Sequence, residues 1–187
     1  MKRLIIGILL FSIITAVMLS GCGDNSRWKD AYIQFIKTEI DNKDANGNEI
    51  KYALVKIDED DTPELLYSGE GYVNTHLCWL KNGEVKHQFV CNQEFLYYEK
   101  KNSFYGFYFN HGVSHDMVYT LKDGSLEKLF EGTGNFTKKD FEYSIDKKVI
   151  SKSAYDKKVD KFFDKKNAAT VNYCNGKNEI IKLIENY

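Results

Sequence analysis

The sequence is poor in proline, in net charge and in paired-cysteine motifs. Its 187 residues include one proline, four cysteines with no C-x-x-C pair, and a formal net charge of −1. The scarcity of proline and of low-complexity runs argues against intrinsic disorder. The near-neutral balance gives no electrostatic basis for binding nucleic acid. The missing cysteine pairs remove the usual signature of zinc sites and thioredoxin-type sites.

The common catalytic motifs are missing as well. The chain has no G-x-S-x-G elbow, no H-E-x-x-H pair, no phosphate loop and no dinucleotide-binding fingerprint. No segment repeats with a period of about 20–50 residues, which disfavours a propeller or a solenoid. The sequence therefore predicts no enzyme class, although an extracytoplasmic hydrolase stays open as an alternative.

The N-terminus has the layout of a secretory signal. Two basic residues, Lys2 and Arg3, precede an almost wholly apolar run over Leu4–Val17, and small residues follow it. This run is shorter than the roughly 20 apolar residues that a membrane span needs. The tetrapeptide Leu19–Cys22, LSGC, resembles the lipobox of bacterial lipoproteins, in which the cysteine receives a diacylglyceryl group and the chain is cut just before it.

The lipobox resemblance implies a division of the chain. Residues 1–21 are the expected signal peptide, residues 22–26 a lipidated tether attached at Cys22, and residues 27–187 a single domain. Two acyl chains are enough for stable anchoring, so we expect a lipid-anchored protein on the extracytoplasmic face of the cell membrane. Export also excludes a nucleic-acid partner in the cytosol. An uncleaved N-terminal anchor is the alternative.

The mature chain changes from helical to strand periodicity near residue 50. Apolar residues at spacings of three and four over Trp28–Ile40 predict an amphipathic helix. Short strand-like segments follow up to about Gly132, with hairpin signals at Asn82-Gly83 and Asp123-Gly124. Helical spacing returns after Ser151. We therefore predict an α+β fold in which the N-terminal amphipathic helix packs on an antiparallel β-meander, with short C-terminal helices.

Three cysteines remain after Cys22, an odd number that cannot pair completely within the chain. A turn at Asn82-Gly83 places Cys78 opposite His87, so Cys91 lies about four strand residues, roughly 13 Å, further along. That separation is beyond the reach of a disulfide. We expect three buried free cysteines, and the alternative is one long-range bridge to Cys174.

The segment Val55–Leu66, VKIDEDDTPELL, combines acidic residues with the single proline. Calcium loops of the type D-x-D-x-D-G-x-x-D/E place oxygen ligands at alternate positions around one cation. In that frame the ligand-like residues are Asp58, Asp60, Thr62 and Glu64. The first position is instead Lys56, whose ammonium at about 4 Å from a divalent ion costs on the order of 8 kcal/mol. Two interpretations stay open, namely a structural acidic turn with Lys56 as counter-ion and a weak calcium site; no other cofactor is predicted.

The acidic motif also carries a family resemblance. The stretch YALVKIDEDDTPELLYSG follows the amphipathic helix and precedes the predicted strands, and SKSAYDKKVDKFF occurs later. In this setting the chain resembles small surface lipoproteins of Gram-positive bacteria whose function is unknown and which carry a degenerate D-x-D-x-D-G-x-P-E-L motif. The motif is also similar to the calcium loops of FG-GAP-type repeats, here in a single copy. The resemblance covers most of the mature chain and implies ligand-like roles for Asp58, Asp60 and Glu64.

Histidines supply the remaining candidates for chemistry. His111, His115 and Asp116 lie in NHGVSHD. A zinc pair at this spacing normally needs a helix and an intervening glutamate, so we predict a solvated loop. His76 and His87 lie on opposing strands of a predicted hairpin and are expected at the surface.

Aromatic residues are abundant, with 13 Tyr, 12 Phe and 2 Trp. Over Phe95–Phe109 they occupy both faces of the predicted strands, so one face belongs to the core. The other face is either covered by the helices or exposed as a binding surface for an envelope glycan or a surface protein. Catalysis would require His111, His115 or Asp116 to meet Asp58 or Glu64. We predict a membrane-anchored binding or interaction module without evident catalytic activity.

Overall fold

The computed structural model describes residues 27–69, 74–137 and 139–187. The predicted signal peptide, the tether and Cys22 lie outside the described residues. The described ranges contain three α-helices and eleven strands. The helices are α1 (Arg27–Thr38), α2 (Lys152–Phe162) and α3 (Gly176–Glu185), with a 3₁₀ turn at Lys165–Asn167. The strands are β1 (Lys51–Val55), β2 (Glu64–Ser68), β3 (Thr75–Lys81), β4 (Glu84–Cys91), β5 (Glu94–Tyr98), β6 (Ser103–Asn110), β7 (Val113–Lys122), β8 (Ser125–Asn135), β9 (Glu142–Ile145), β10 (Lys148–Ile150) and β11 (Cys174–Asn175).

The strands form two antiparallel sheets, and the predicted fold class is therefore wrong. Sheet A has the order β11-β1-β2-β3-β4 and sheet B the order β10-β9-β8-β7-β6-β5. The described chain is mostly β, and it is not an α+β domain with one helix packed on a single meander. The chain changes sheets after β4, where the N–H groups of Asn92 and Gln93 donate to the Phe107 carbonyl of β6. Short strands and tight turns predict one meander and two sheets equally well, because both use the same local signals.

The main core lies between the facing sides of the two sheets. Leu66 and Leu77 of sheet A and Phe104 of sheet B are completely buried there. The Phe104 ring contacts the rings of Phe95 and Tyr119, with centroids 5.1 Å and 4.9 Å away. Side chains alternate along a strand. The neighbours of these residues, such as Leu65 and Tyr105, therefore point to the opposite side of each sheet.

Helices cover those opposite sides. α1 and α3 share a buried cluster with sheet A that includes Tyr32, Leu65 and Ile180. α2 shares a second cluster with sheet B that includes Tyr105 and Val159. The described domain therefore has helix, sheet, sheet and helix layers, and both faces of each sheet are used for packing.

Several local predictions from the turns are confirmed. Asn82 and Gly83 have φ values of 55° and 80° and form the β3–β4 turn, which is the left-handed pair that a tight hairpin needs. The turn places Cys78 opposite His87, as predicted. The three cysteines in the described ranges are free, with Cys78 and Cys91 buried and Cys174 half-buried.

The strand directions define two ends of the molecule, and the near end is the one where α1 begins. The Trp28 ring contacts the Tyr187 ring there, with centroids 5.4 Å apart. The ammonium of Lys56, just after β1, lies 5.3 Å from the centre of the same Tyr187 ring. The β5–β6 turn reaches this end as well, since the N–H of Lys100 donates to the Lys56 carbonyl.

The far end is the one where α1 ends. β6 runs toward it from the β5–β6 turn over eight residues, which is about 26 Å at the usual rise per residue. The β6–β7 turn lies there, and the Gly112 carbonyl accepts the N–H of Phe136, the residue after β8. None of the described helices is long and apolar enough to cross a membrane.

Candidate functional site

The predicted calcium-loop residues come together in one turn at the near end. The turn is closed by its own carboxylates: Glu64 accepts the N–H of Ile57 at 2.7 Å, Asp58 accepts the N–H of Asp60 at 3.0 Å, and Asp60 accepts the N–H of Thr62 at 2.6 Å. These carboxylates are thus directed at backbone groups of the turn itself. Among the described residues, no group of three or more His, Cys, Asp or Glu side chains is arranged to hold a metal ion.

The same turn perturbs the titration of two of its carboxyls. Glu64 is 3% exposed, and burial raises its pKa to about 8, with a further rise from the charge of Asp58 and an opposing effect of the hydrogen bond from Ile57. Burial also raises the pKa of Asp58 to about 6. Both pKa values rise because the turn is poorly solvated and holds several carboxylates close together. The turn is therefore easier to protonate than an ordinary surface cluster.

Lys100 forms an ion pair with this turn, whereas one interpretation of the sequence placed Lys56 there as the counter-ion. The Lys100 ammonium lies 2.9 Å from a carboxylate oxygen of Asp61. Lys56 contacts Tyr187 instead, and that contact is the first cause of its raised pKa. The alternative of a weak calcium site stays a prediction.

The structure does not place His115 in a solvated loop, and this part of the prediction is wrong. His115 lies within β7, where its Nδ1 is 2.9 Å from a carboxylate oxygen of Glu131 on β8. His111, four residues earlier, lies in the β6–β7 turn with φ of 48°, so the two histidines are not on one turn of a helix, as the zinc-binding spacing requires. The β6–β7 hairpin extends into the segment predicted to be a loop, because Ser114 and His115 of β7 pair with Phe109 and Tyr108 of β6.

The histidines also do not meet the acidic turn. His111 is at the far end, and the turn that contains Asp58 and Glu64 is at the near end. The His76 and His87 rings do approach each other on sheet A, with centroids 6.2 Å apart. The constellation that the hydrolase alternative would need is therefore not assembled by the described residues.

Sequence reasoning missed a buried polar network centred on Asp116. The Tyr155 hydroxyl of α2 donates to one carboxylate oxygen at 2.6 Å, and the Tyr105 hydroxyl of β6 donates to the other. The Lys165 ammonium lies 3.2 Å from the second oxygen. Burial is the first cause that raises the pKa values of Tyr105 and Tyr155, followed by effects of Asp116. The Asp116 carboxylate therefore binds two hydroxyls and an ammonium, and it connects sheet B to α2.

The aromatic run on β5 and β6 is covered on both faces at Phe95, Phe104 and Tyr105. Phe95 and Phe104 point into the core between the sheets, while Tyr105 lies under α2, where the Phe163 ring is 5.8 Å away. The prediction that helices cover the second face is confirmed at these residues. The last residue of the run, Phe109, is exposed and belongs to a separate aromatic surface.

Such a surface lies at the far end of sheet B. We call Phe109, Phe136 and Phe141 the aromatic patch: their side chains are 39%, 36% and 64% exposed. The Phe136 ring contacts both others, with centroids 6.2 Å from Phe109 and 5.2 Å from Phe141. Contiguous exposed apolar rings of this kind mark interaction sites in soluble domains. No periodic signal in the sequence identified the patch, because Phe136 and Phe141 lie outside regular strands.

The backbone beneath the patch is fixed by hydrogen bonds. The Asn92 side chain accepts the N–H of Phe109 and donates to its carbonyl, both at 2.8 Å. The N–H of Phe136 donates to Gly112 at 2.8 Å. The Asn135 side chain accepts the N–H of Thr137 at 3.0 Å. The rings of Phe109 and Phe136 are therefore presented from a preformed backbone, which lowers the entropy cost of binding.

Comparison with known proteins gives no match. No protein-family model, no curated protein and no solved structure matches this chain. The resemblance to small Gram-positive surface lipoproteins, and the roles it implies, therefore stay predictions.

Proposed function

We propose that this protein is a membrane-anchored extracytoplasmic lipoprotein whose far-end aromatic patch docks another surface protein. The observation that carries the proposal is the contact among three exposed phenylalanine rings at the end opposite the start of α1. Aromatic residues are enriched at the centres of protein interfaces, where they supply much of the binding energy.

The predicted anchor orients the patch away from the membrane. The expected lipidation site, Cys22, precedes Arg27 by five positions, and five fully extended residues span at most about 18 Å. The near end is thereby held close to the lipid, while the patch lies roughly 26 Å further along β6. This arrangement presents the rings to partners outside the cell.

The ring geometry favours a protein over a glycan. The Phe136 ring is inclined by 54° to Phe109 and by 59° to Phe141, so the three rings form a corrugated surface. A sugar ring needs a flat aromatic face together with groups that pair with its hydroxyls, and phenylalanine side chains offer no polar atom. Apolar side chains of a protein fit between tilted rings.

The segment that contains Phe141 and continues through α2 has a net positive charge. Residues 139–166 contain nine lysines and six carboxylates, and exposed Lys148 and Val149 lie on β10, the free edge of sheet B. We expect a partner segment that combines apolar and acidic residues, since charge complementarity speeds association and selects among partners.

A capture experiment tests the proposal. The soluble chain from residue 23 onward is immobilised and exposed to envelope extract, in parallel with a Phe136→Ser/Phe141→Ser double variant. The matched control is Leu183→Ser, which removes an apolar side chain of 46% exposure on α3. We expect one protein to be captured by the parent and the control and lost from the double variant. Capture that survives protease treatment of the extract would indicate a glycan instead, and equal capture by all three chains would overturn the proposal.

A further inference from the structure

The Phe136 ring of the aromatic patch lies over a recess in sheet B. On the face of the sheet that carries α2, four cross-strand neighbours on β6, β7, β8 and β9 form one row: Phe109, Ser114, Gly134 and Tyr143. Directly opposed residues share one face of a sheet. The two central residues of the row are the smallest, so the row is low in the middle and bounded by a ring on each side.

Gly134 makes room for the Phe136 ring. A Cβ built on Gly134 would lie 3.1 Å from Cε2 and 3.2 Å from Cζ of that ring, and 2.7 Å from Oγ of Ser114. At these distances a side chain at position 134 would have to displace its neighbours. We call Ser114 and Gly134 the seat of the Phe136 ring.

Tyr143 closes one side of the seat. Its ring meets the Phe136 ring edge to face, with centroids 6.0 Å apart and planes at 90°, which is a geometry that aromatic pairs favour. Phe109 flanks the other side at 6.2 Å. Phe136 follows the last residue of β8, so its side chain lies outside the alternation of the strand and is oriented by these ring contacts.

Tyr143 is itself held in place from the side of α2. The Tyr155 ring lies 5.1 Å from the Tyr143 ring, and the Tyr155 hydroxyl donates to Asp116 at 2.6 Å. The Lys152 ammonium lies 5.7 Å from the centre of the Tyr143 ring, within the range of a cation–π contact. Tyr143 is half-buried, and it therefore forms a fixed support between α2 and the aromatic patch.

We propose that Tyr143 is a positioning residue of the aromatic patch, which holds the Phe136 ring on its seat in the orientation that the partner contacts. The inference rests on the proposed docking function. A ring that is fixed before association loses less conformational freedom on binding, so this support increases the affinity of the patch. Tyr143 acts through Phe136 and not through a contact of its own with the partner.

The placement of the Phe136 ring can be measured without a partner. The full-length protein in lipid nanodiscs is labelled with ¹³C in its phenylalanine rings and glycine Cα atoms, and Phe136→Leu identifies the signals of Phe136. We expect a nuclear Overhauser cross-peak between the Phe136 ring and the Hα atoms of Gly134. The cross-peak should persist in Tyr143→Phe, because that variant keeps the edge-to-face contact.

Two variants remove the supporting ring. Tyr143→Val and Tyr143→Thr both introduce a residue that favours strands, and the cross-peak between Phe136 and Gly134 should be lost in each. Tyr98→Val is the matched control, because Tyr98 is a half-buried tyrosine of sheet B at the near end that also packs on the α2 side. This control should keep the cross-peak.

Capture from envelope extract by the same nanodiscs tests the consequence for docking. The amount of extract needed for half-maximal capture should rise about fivefold in Tyr143→Val and stay unchanged in Tyr143→Phe and Tyr98→Val. A cross-peak as strong in Tyr143→Val and Tyr143→Thr as in the parent would overturn the inference, and so would undiminished capture by a variant that has lost the cross-peak. Equal capture by the parent and the Phe136→Ser/Phe141→Ser variant would instead contradict the docking function, a failure that the ring measurement does not share.

Discussion

At the scale of single residues, Asp116 connects three separate parts of the chain. Its carboxylate binds the hydroxyls of Tyr105 and Tyr155 and lies beside the ammonium of Lys165. A buried carboxylate is tolerated when hydrogen bonds and an opposite charge compensate for lost hydration. Removing the carboxylate leaves the two hydroxyls and the ammonium without their acceptor.

We therefore expect Asp116→Ala to destabilise the domain by about 3–5 kcal/mol, and Tyr155→Phe by about 1–3 kcal/mol, since it deletes one hydrogen bond to a charged group. The midpoint of urea unfolding measures both. Asp160→Ala, at an exposed position of α2, serves as the control and should stay within about 0.5 kcal/mol of the parent. An Asp116→Ala variant as stable as this control would show that the network does not hold α2 in place.

Glu64 gives a prediction about pH. Its pKa is near 8 in the folded protein, whereas an unfolded glutamate titrates near about 4.3. Between these values the native state binds more protons than the unfolded state, so Glu64 lowers stability as the pH rises from about 4.5 toward 8. The steepest loss from this group is about 1.4 kcal/mol per pH unit.

Glu64→Gln removes this titration and keeps an oxygen that can accept the N–H of Ile57. The stability of the variant relative to the parent should therefore increase between about pH 5 and pH 8, as read from urea midpoints at both values. Asp61→Asn is the control, because that carboxyl is exposed and Lys100 lowers its pKa, so it should give no such gain. A relative stability of Glu64→Gln that is constant or falls with pH would contradict the raised pKa.

At the scale of secondary-structure elements, α2 approaches sheet B closely at Gly132. A Cβ built on Gly132 would lie 2.6 Å from Cε2 of the Tyr155 ring and 2.7 Å from its hydroxyl. Separations this short require the ring or the helix to move. The absence of a side chain at this position is therefore part of how α2 docks.

Gly132→Ala should lower the free energy of unfolding by about 1–3 kcal/mol because of overpacking. Relative to the parent, native-state hydrogen exchange should speed up more for the α2 amides than for the α1 amides. Combining it with Tyr155→Leu tests the cause, because the two changes share one contact and should be non-additive by at least about 0.5 kcal/mol. Strict additivity, or loss of protection in α1 as much as in α2, would point to a general effect on folding.

The elements also show how far the sequence could predict this molecule. The hairpin at Asn82-Gly83 and the pairing of Cys78 with His87 follow from local turn chemistry, and both are confirmed. The division into two sheets was not predictable in this way, since the change of sheet after β4 depends on a long-range contact with Phe107. Asp116 likewise contacts Tyr155, which is 39 positions later in the chain, and Lys165, which is 49 positions later. No local sequence pattern encodes such contacts.

At the scale of the whole molecule, the acidic turn and the aromatic patch are far apart. The acidic turn lies at the near end, close to where α1 begins, while the aromatic patch lies at the far end. This polarity suits a protein held at one end and used at the other. It yields a prediction that does not depend on knowing the partner.

The full-length protein anchored in vesicles should keep its near end next to the lipid. Single cysteines introduced at Glu185 of α3 and at Lys139 beside the patch, both exposed positions, can carry a fluorescent label in a chain whose half-buried Cys174 is replaced by serine. Cys78 and Cys91 should react little because they are buried. A quencher attached to lipid headgroups should quench the label at 185 more strongly than the label at 139, because the predicted tether spans at most about 18 Å and the ends are roughly 26 Å apart. Cys22→Ala should release both labelled chains from the vesicles or leave them unprocessed. Equal quenching at the two positions would contradict the orientation, and a processed, membrane-bound Cys22→Ala chain would contradict the lipid anchor.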